Sequence, residues 1–165
     1  MKQEQDETSL SVDEIIERFH TVFNPSYDVF ISYSYLDDPC HALGTALLLK
    51  DSGFLAYLPK RIDPAQRRSP KLAEIELTQV ALSKSKALIS LNSTKASRSH
   101  WIPWEIGYMS GSTGKVAIQS IADEKVSSRN REFVKLYPSV GLSNGEFTVN
   151  YKESGTDLKS WINKS

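Results

Sequence analysis

The chain has 165 residues, 39% of them hydrophobic and 24% charged, which fits one folded domain and excludes wholesale disorder. Twenty lysines and arginines balance twenty aspartates and glutamates, so no basic surplus marks a protein that coats nucleic acid. A single cysteine, Cys40, excludes an internal disulfide. The longest aliphatic run, residues 46–49, is too short to cross a bilayer, and the polar start MKQEQDETSL lacks a secretory core, so the expected setting is cytoplasmic.

Residues 1–20 carry six acids against two bases, and 59–71 carry five bases against one acid, blocks that ordinarily form solvated surface. The first nine residues read as a disordered tail. Ser11 or Asp13 then caps a short amphipathic helix with Ile15, Ile16, Phe19 and Val22 on one face, ended by Asn24-Pro25. Residues 1–25 thus form an acidic appendage to a domain spanning 26–165.

From Tyr27 the pattern alternates between strand and helix. Residues 28–33 read as a buried strand, and 34–39 as a turn. A helix follows through Leu43, Ala46 and Leu47, closed by Gly53 in the left-handed C-terminal position. A short strand at 54–58 leads through a basic loop, 59–70, to a helix over Leu72, Ile75, Val80 and Leu82. Residues 87–91 form a third strand. A polar loop, 92–100, enters a helix holding Trp101, Trp104, Glu105 and Tyr108, and 116–118 form a fourth strand. Residues 146–151 supply a fifth strand and 157–163 a terminal helix packing Leu158, Trp161 and Ile162, while 123–138 read equally as helix or loop. Strands alternating with helices imply right-handed crossovers: an α/β fold with a parallel five-stranded sheet and helices on both faces.

Ligands of such sheets collect beyond the carboxyl ends of the strands, at loops 34–39, 59–70 and 92–100. No glycine-rich phosphate loop or nucleophile elbow follows a strand, and His20, His41 and His100 have no metal-site spacing, so no metal is expected. The segment Ser99-His100-Trp101-Ile102-Pro103-Trp104-Glu105 stands out. Pro103 belongs in a first helical turn, so the helix begins near Ser99. Trp101 and Glu105, four apart, share a face that Tyr108 continues, and the helix start favours an ionised Glu105. A carboxylate beside an aromatic wall suits a sugar carrying a cationic leaving group; a core tryptophan and an ordinary early-helix glutamate would give the same pattern.

The strand Tyr27-Asp28-Val29-Phe30-Ile31-Ser32-Tyr33-Ser34 resembles the opening strand of Toll/interleukin-1 receptor (TIR) domains. Ser99-x-Trp101-x-x-x-Glu105 resembles the Ser-x-Trp-x-x-x-Glu element of that family's enzymatic branch. The resemblance covers residues 26–119 closely and 120–165 loosely. It implies a flavodoxin-like fold and NAD⁺ as substrate, with no separate cofactor. By it Glu105 is the catalytic carboxylate that engages the hydroxyls of the nicotinamide-bearing ribose. Trp101 shapes the pocket, and Ser32, Tyr33, Ser34, Ser99 and Tyr108 line it. Residues 59–70 correspond to the family's BB loop, though here without a glycine, and imply self-association with other TIR subunits.

Nicotinamide leaves a pyridinium as a neutral base, so no acid has to protonate it, and a fixed carboxylate stabilises the oxocarbenium-like ribose. Water then gives a linear product, whereas an adenine nitrogen folding back gives a cyclic one. The chain is similar in its short length to TIR proteins of Thoeris-type anti-phage defence, which implies a nucleotide product read by a separate effector. Two alternatives accompany this expectation. One is a non-catalytic adaptor acting by TIR–TIR contacts, which needs no glutamate at position 105. The other is a flavodoxin-like response regulator, which needs a lysine after a late strand, whereas Lys115 precedes one. Cys40, at a helix start, is expected to be idle chemically, with a thiol pKa lowered by that position.

Overall fold

Strand β1 (Tyr27–Ser32) is followed by α1 (Pro39–Asp51), β2 (Ala56–Tyr57), α2 (Leu72–Ser83), β3 (Ser85–Asn92), α3 (Trp101–Ser112) and β4 (Val116–Ser120). The chain ends with β5 (Ser139–Ser143), β6 (Glu146–Tyr151), β7 (Ser154–Asp157) and α4 (Leu158–Asn163). This computed structural model describes residues 11, 14, 26–60, 72–121 and 132–164. The expected disordered tail, most of the amino-terminal helix, residues 61–71 of the basic loop and residues 122–131 lie outside them. Of that helix, the described pair forms a capping box. Ser11 N–H donates to Glu14 Oε2 at 2.7 Å, and Glu14 N–H donates to Ser11 Oγ at 3.3 Å.

Among the described residues seven strands form one sheet in the order β2-β1-β3-β4-β5-β6-β7. The first five are parallel: β1 pairs with β2 and β3, β3 with β4, and β4 with β5. The expected parallel five-stranded sheet is therefore present, extended by two antiparallel strands, β6 and β7. Residues 146–151 are a strand as expected, but the sixth, and antiparallel. The fifth parallel strand is Ser139–Ser143, a mostly exposed segment whose apolar signal is one buried side chain, Val140. Between β5 and β6 lies a two-residue turn, Asn144-Gly145, with φ of 52° and 81°. Both central residues have the left-handed conformation of the hairpin turn that Asn-Gly favours.

Chain order dictates which face each helix covers. The step from β1 to β2 runs one way across the sheet, and the return from β2 past β1 to β3 runs the other. With right-handed crossovers, α1 therefore covers one face and α2 and α3 the opposite face. On the first face Val29, Ile31, Ala87 and Ile89 pack with Ala42, Ala46 and Leu49 of α1 and Leu158, Trp161 and Ile162 of α4. On the other, Phe30, Leu88, Val116 and Ile118 pack with Leu82 of α2 and Ile102, Ile106 and Met109 of α3. No helix among the described residues is long and apolar enough to cross a membrane.

Local chemistry sets the helix ends. Asp38 caps α1 by accepting a hydrogen bond from Cys40 N–H at 2.9 Å, and Gly53, at φ +84°, closes it with its N–H on the Lys50 carbonyl at 2.9 Å. The same Asp38 overturns the expectation of a lowered thiol pKa at Cys40. Its carboxylate accepts from the thiol and raises the thiol pKa above its ordinary value, with smaller contributions from burial and the Asp38 charge. Asp38→Asn keeps a capping side chain and removes the charge. It should therefore speed alkylation of Cys40 near neutral pH several-fold over wild type. A rate equal to wild type in a thiol-reagent time course would show that Asp38 does not govern the thiol.

Candidate active site

A sheet ordered 2-1-3-4-5 has its topological switch between β1 and β3, and the crevice beyond their carboxyl ends is where such folds bind ligands. Ser32 ends β1 and Asn92 ends β3. Alternation along β1 puts Ser32 on the same face as Phe30, which packs against the α3 side. The next loop delivers α3 to that position. Ser99 Oγ accepts from the N–H groups of Trp101 at 3.2 Å and Ile102 at 3.3 Å, and Pro103 occupies the first turn, where its missing N–H costs nothing. Ser99 thus fixes the start of the helix that carries the glutamate.

Glu105 is 7% exposed, and Ser32 Oγ donates to its Oε2 at 2.5 Å. Residues 73 apart in sequence meet across the strand-helix interface. Burial pushes the Glu105 carboxyl up to about 7, opposed by the Ser32 hydrogen bond, which stabilises the charged form. The expectation of a fully ionised Glu105 at neutral pH is corrected by this environment. The fifth residue of α3 lies past the first turn, where the helix field fades, and desolvation outweighs what remains.

The other predicted site residues take up different positions around this pair. Trp101 is half-buried, and its ring meets Trp104 edge-on at 5.7 Å; Trp104 lies 6.2 Å from Tyr108. Trp104 and Tyr108 pack against the core on the α3 side. Tyr33 goes elsewhere. One residue past Ser32, it turns to the α1 side of the sheet, packs against that core, and donates its hydroxyl to the Pro59 carbonyl at 3.0 Å. Ser34 is buried, with its hydroxyl on the Lys95 carbonyl at 3.4 Å and accepting from Leu36 N–H at 3.2 Å. Ser32 and Glu105 therefore meet, Ser99 fixes the helix start that carries Glu105, and the strand's alternation directs Tyr33 to the other face.

Two further groups at this end escaped the sequence reading. Tyr57, at the end of β2, stacks on Phe30 at 5.3 Å, and its hydroxyl is pushed up to about 12, by burial first and then by the charges of Tyr27 and Glu105. Its place at the carboxyl end of a strand was the available signal. Asp37, 5% exposed, accepts from Ser93 Oγ at 2.6 Å, which links the loop after β1 to the loop after β3. A turn composition gives no hint of such burial. Among the described residues no group of three or more His, Cys, Asp or Glu could hold a metal ion. Lys115, central to the response-regulator alternative, precedes β4 and places its ammonium 5.7 Å from the Trp161 ring.

Sheet order and crossovers make this a flavodoxin-like α/β domain, consistent with the TIR-type fold that the sequence resembles, with a buried carboxyl facing the end of its first strand. The chain is 31% identical over 120 residues, 71% of its length, to a Bacillus cereus (strain MSX-D12) protein described as "Probable 3' cyclic ADP-D-ribose synthase ThsB'". The match covers 62% of that relative, so the chain spans somewhat under two thirds of the protein it resembles. No family model matches the chain.

Proposed function

We propose that this protein cleaves NAD⁺, releases nicotinamide and converts the remainder to a cyclic ADP-ribose signalling nucleotide in anti-phage defence. The observation that carries the reading is the buried Glu105 carboxyl, poised near neutrality at the β1–β3 switch point and held by Ser32. The name of the Bacillus relative supports the same chemistry. NAD⁺ is the substrate in this reading and the reaction uses no other cofactor. The protein works in the cytoplasm, assembles with further TIR subunits, and hands its product to a separate effector.

The bond between ribose C1′ and the pyridinium nitrogen breaks with its electron pair passing to nitrogen, so nicotinamide departs neutral. Positive charge then spreads over C1′ and the ring oxygen. The ionised Glu105 stabilises it, in a buried setting where a fixed charge acts more strongly than in water. Trp101 walls the pocket beside it. A nucleophile within the same molecule attacks C1′ and loses a proton, giving the cyclic product; exclusion of water protects that outcome from hydrolysis.

Since the ionised form is the working one, kcat/KM should rise with pH through about 7 and level off above it. Purified protein incubated with NAD⁺ across that range, with products separated by chromatography, tests both claims. Nicotinamide accompanied by a cyclic isomer is the expected result. A flat pH profile would remove Glu105 as the titrating group, and no nicotinamide release would remove the enzymatic reading.

A further inference from the structure

We propose that Ser32 is a positioning residue: its hydroxyl holds one oxygen of the Glu105 carboxylate so that the other faces the ribose. The inference rests on the reading of Glu105 as the catalytic carboxylate and assigns Ser32 a role distinct from lining the pocket. Ser32 is 0% exposed, so it offers little surface to a substrate. Its register partner on β3, Ser90, is buried as well, and the hydroxyl of Ser32 is spent on Glu105 Oε2. A carboxylate with one oxygen fixed loses rotational freedom and presents the second in a set direction, the preorganisation that electrostatic stabilisation requires.

The surroundings hold both partners of this pair. Ser34 binds the Lys95 carbonyl, and Asp37 N–H donates to the Ser34 carbonyl at 3.0 Å. Asp37 accepts from Ser93 Oγ, which itself accepts from Ala96 N–H at 2.9 Å. Ser99, three residues on, caps α3. The loop leaving Ser32 and the loop leading to Glu105 are therefore tied to each other by buried hydrogen bonds. Ser32 is where the strand side of this bracket reaches the glutamate directly.

Ser32→Ala and Ser32→Thr, compared with wild type, separate positioning from mere packing. The Glu105 titration is followed by carbon-13 NMR of labelled glutamate, which needs no substrate, and kcat and KM for nicotinamide release are measured above the titration midpoint. Ser32→Ala should raise the Glu105 midpoint by about one pH unit, since the lost hydrogen bond favours the charged form. It should lower kcat about tenfold with KM changed less than about twofold, the loss expected for one hydrogen bond to a charged group. Ser32→Thr, which keeps the hydroxyl, should restore both. Should Ser32→Ala fail to fold, Ser32→Cys, with a weaker donor of similar size, should shift the midpoint in the same direction.

An unmoved midpoint overturns the proposal. So does a loss confined to KM, which would make Ser32 a substrate contact. If the wild type releases no nicotinamide, the proposed function falls, and the NMR midpoint alone decides whether Ser32 governs the Glu105 carboxylate.

Discussion

Glu105→Gln is expected to lose roughly a hundred- to a thousandfold in NAD⁺ cleavage, about 3–4 kcal/mol of transition-state stabilisation, while the fold becomes more stable at alkaline pH. Glutamine keeps the length of the side chain and can still accept from Ser32, but it has no charge to set against the oxocarbenium-like ribose. The stability gain follows from burial. The carboxyl titrates near 7 in the fold and near 4.5 in an unfolded chain. Its favourable contribution is thus complete below about 4.5 and is lost as pH rises through about 7. By about pH 8 the wild type carries an ionised buried group whose cost is on the order of 3 kcal/mol, which the amide avoids. Melting temperatures of the two proteins should diverge between about pH 5 and pH 8, with the variant higher. Nicotinamide release at equal concentrations supplies the other half. Equal rates would exclude Glu105 as the catalytic carboxylate, and an inactive wild type would transfer the weight to the adaptor alternative. A residue that weakens its own fold at working pH is better explained by chemistry than by packing.

The pattern that made α3 legible was local. Pro103 marks a first turn, and Ser99 supplies the cap that the N–H groups of Trp101 and Ile102 need, so the start of the helix could be read to within a residue or two. Strands β1, β3 and β4 were legible because strands buried on both faces are nearly continuous apolar runs. β5 was missed because its apolar content is one buried valine, and its register comes from neighbours rather than composition. The Asn144-Gly145 signal for the hairpin stood in the sequence unread. At the site, sequence placed Glu105 on its helix but missed the burial that raises its pKa. Spacing along a helix predicts direction; desolvation depends on what β1 and β2 bring against it, which only the tertiary structure supplies. Ser32 and Tyr33, read together as lining one cleft, project to opposite faces because adjacent residues on a strand alternate.

Two tryptophans should give opposite phenotypes, and the second large effect is that of Trp161→Ala, about 3–5 kcal/mol of lost stability. Trp161 is 3% exposed in a helix of only six residues, too short to persist without its packing. Its ring joins α4 to the α1 side of the core, its indole N–H donates to Tyr151 Oη at 3.3 Å, and the Lys115 ammonium lies 5.7 Å from the ring. Truncation leaves a cavity on that face and removes a tie between α4 and the end of β6. For a chain of this length the loss corresponds to a melting temperature lower by about 10 °C. Trp161→Phe, which refills most of the volume but cannot donate, should recover more than half of it. Trp101→Ala should behave in reverse. That ring is half-buried and its described ring contact is with Trp104, so melting should shift by only a few degrees while nicotinamide release falls sharply. Thermal melts and turnover for the three variants form a crossed comparison. A large loss of stability in Trp101→Ala would make that ring a core element, and its activity would no longer report on the pocket. A small loss in Trp161→Ala would mean that α4 and the β5–β7 edge are held by Leu158, Ile162 and the sheet alone.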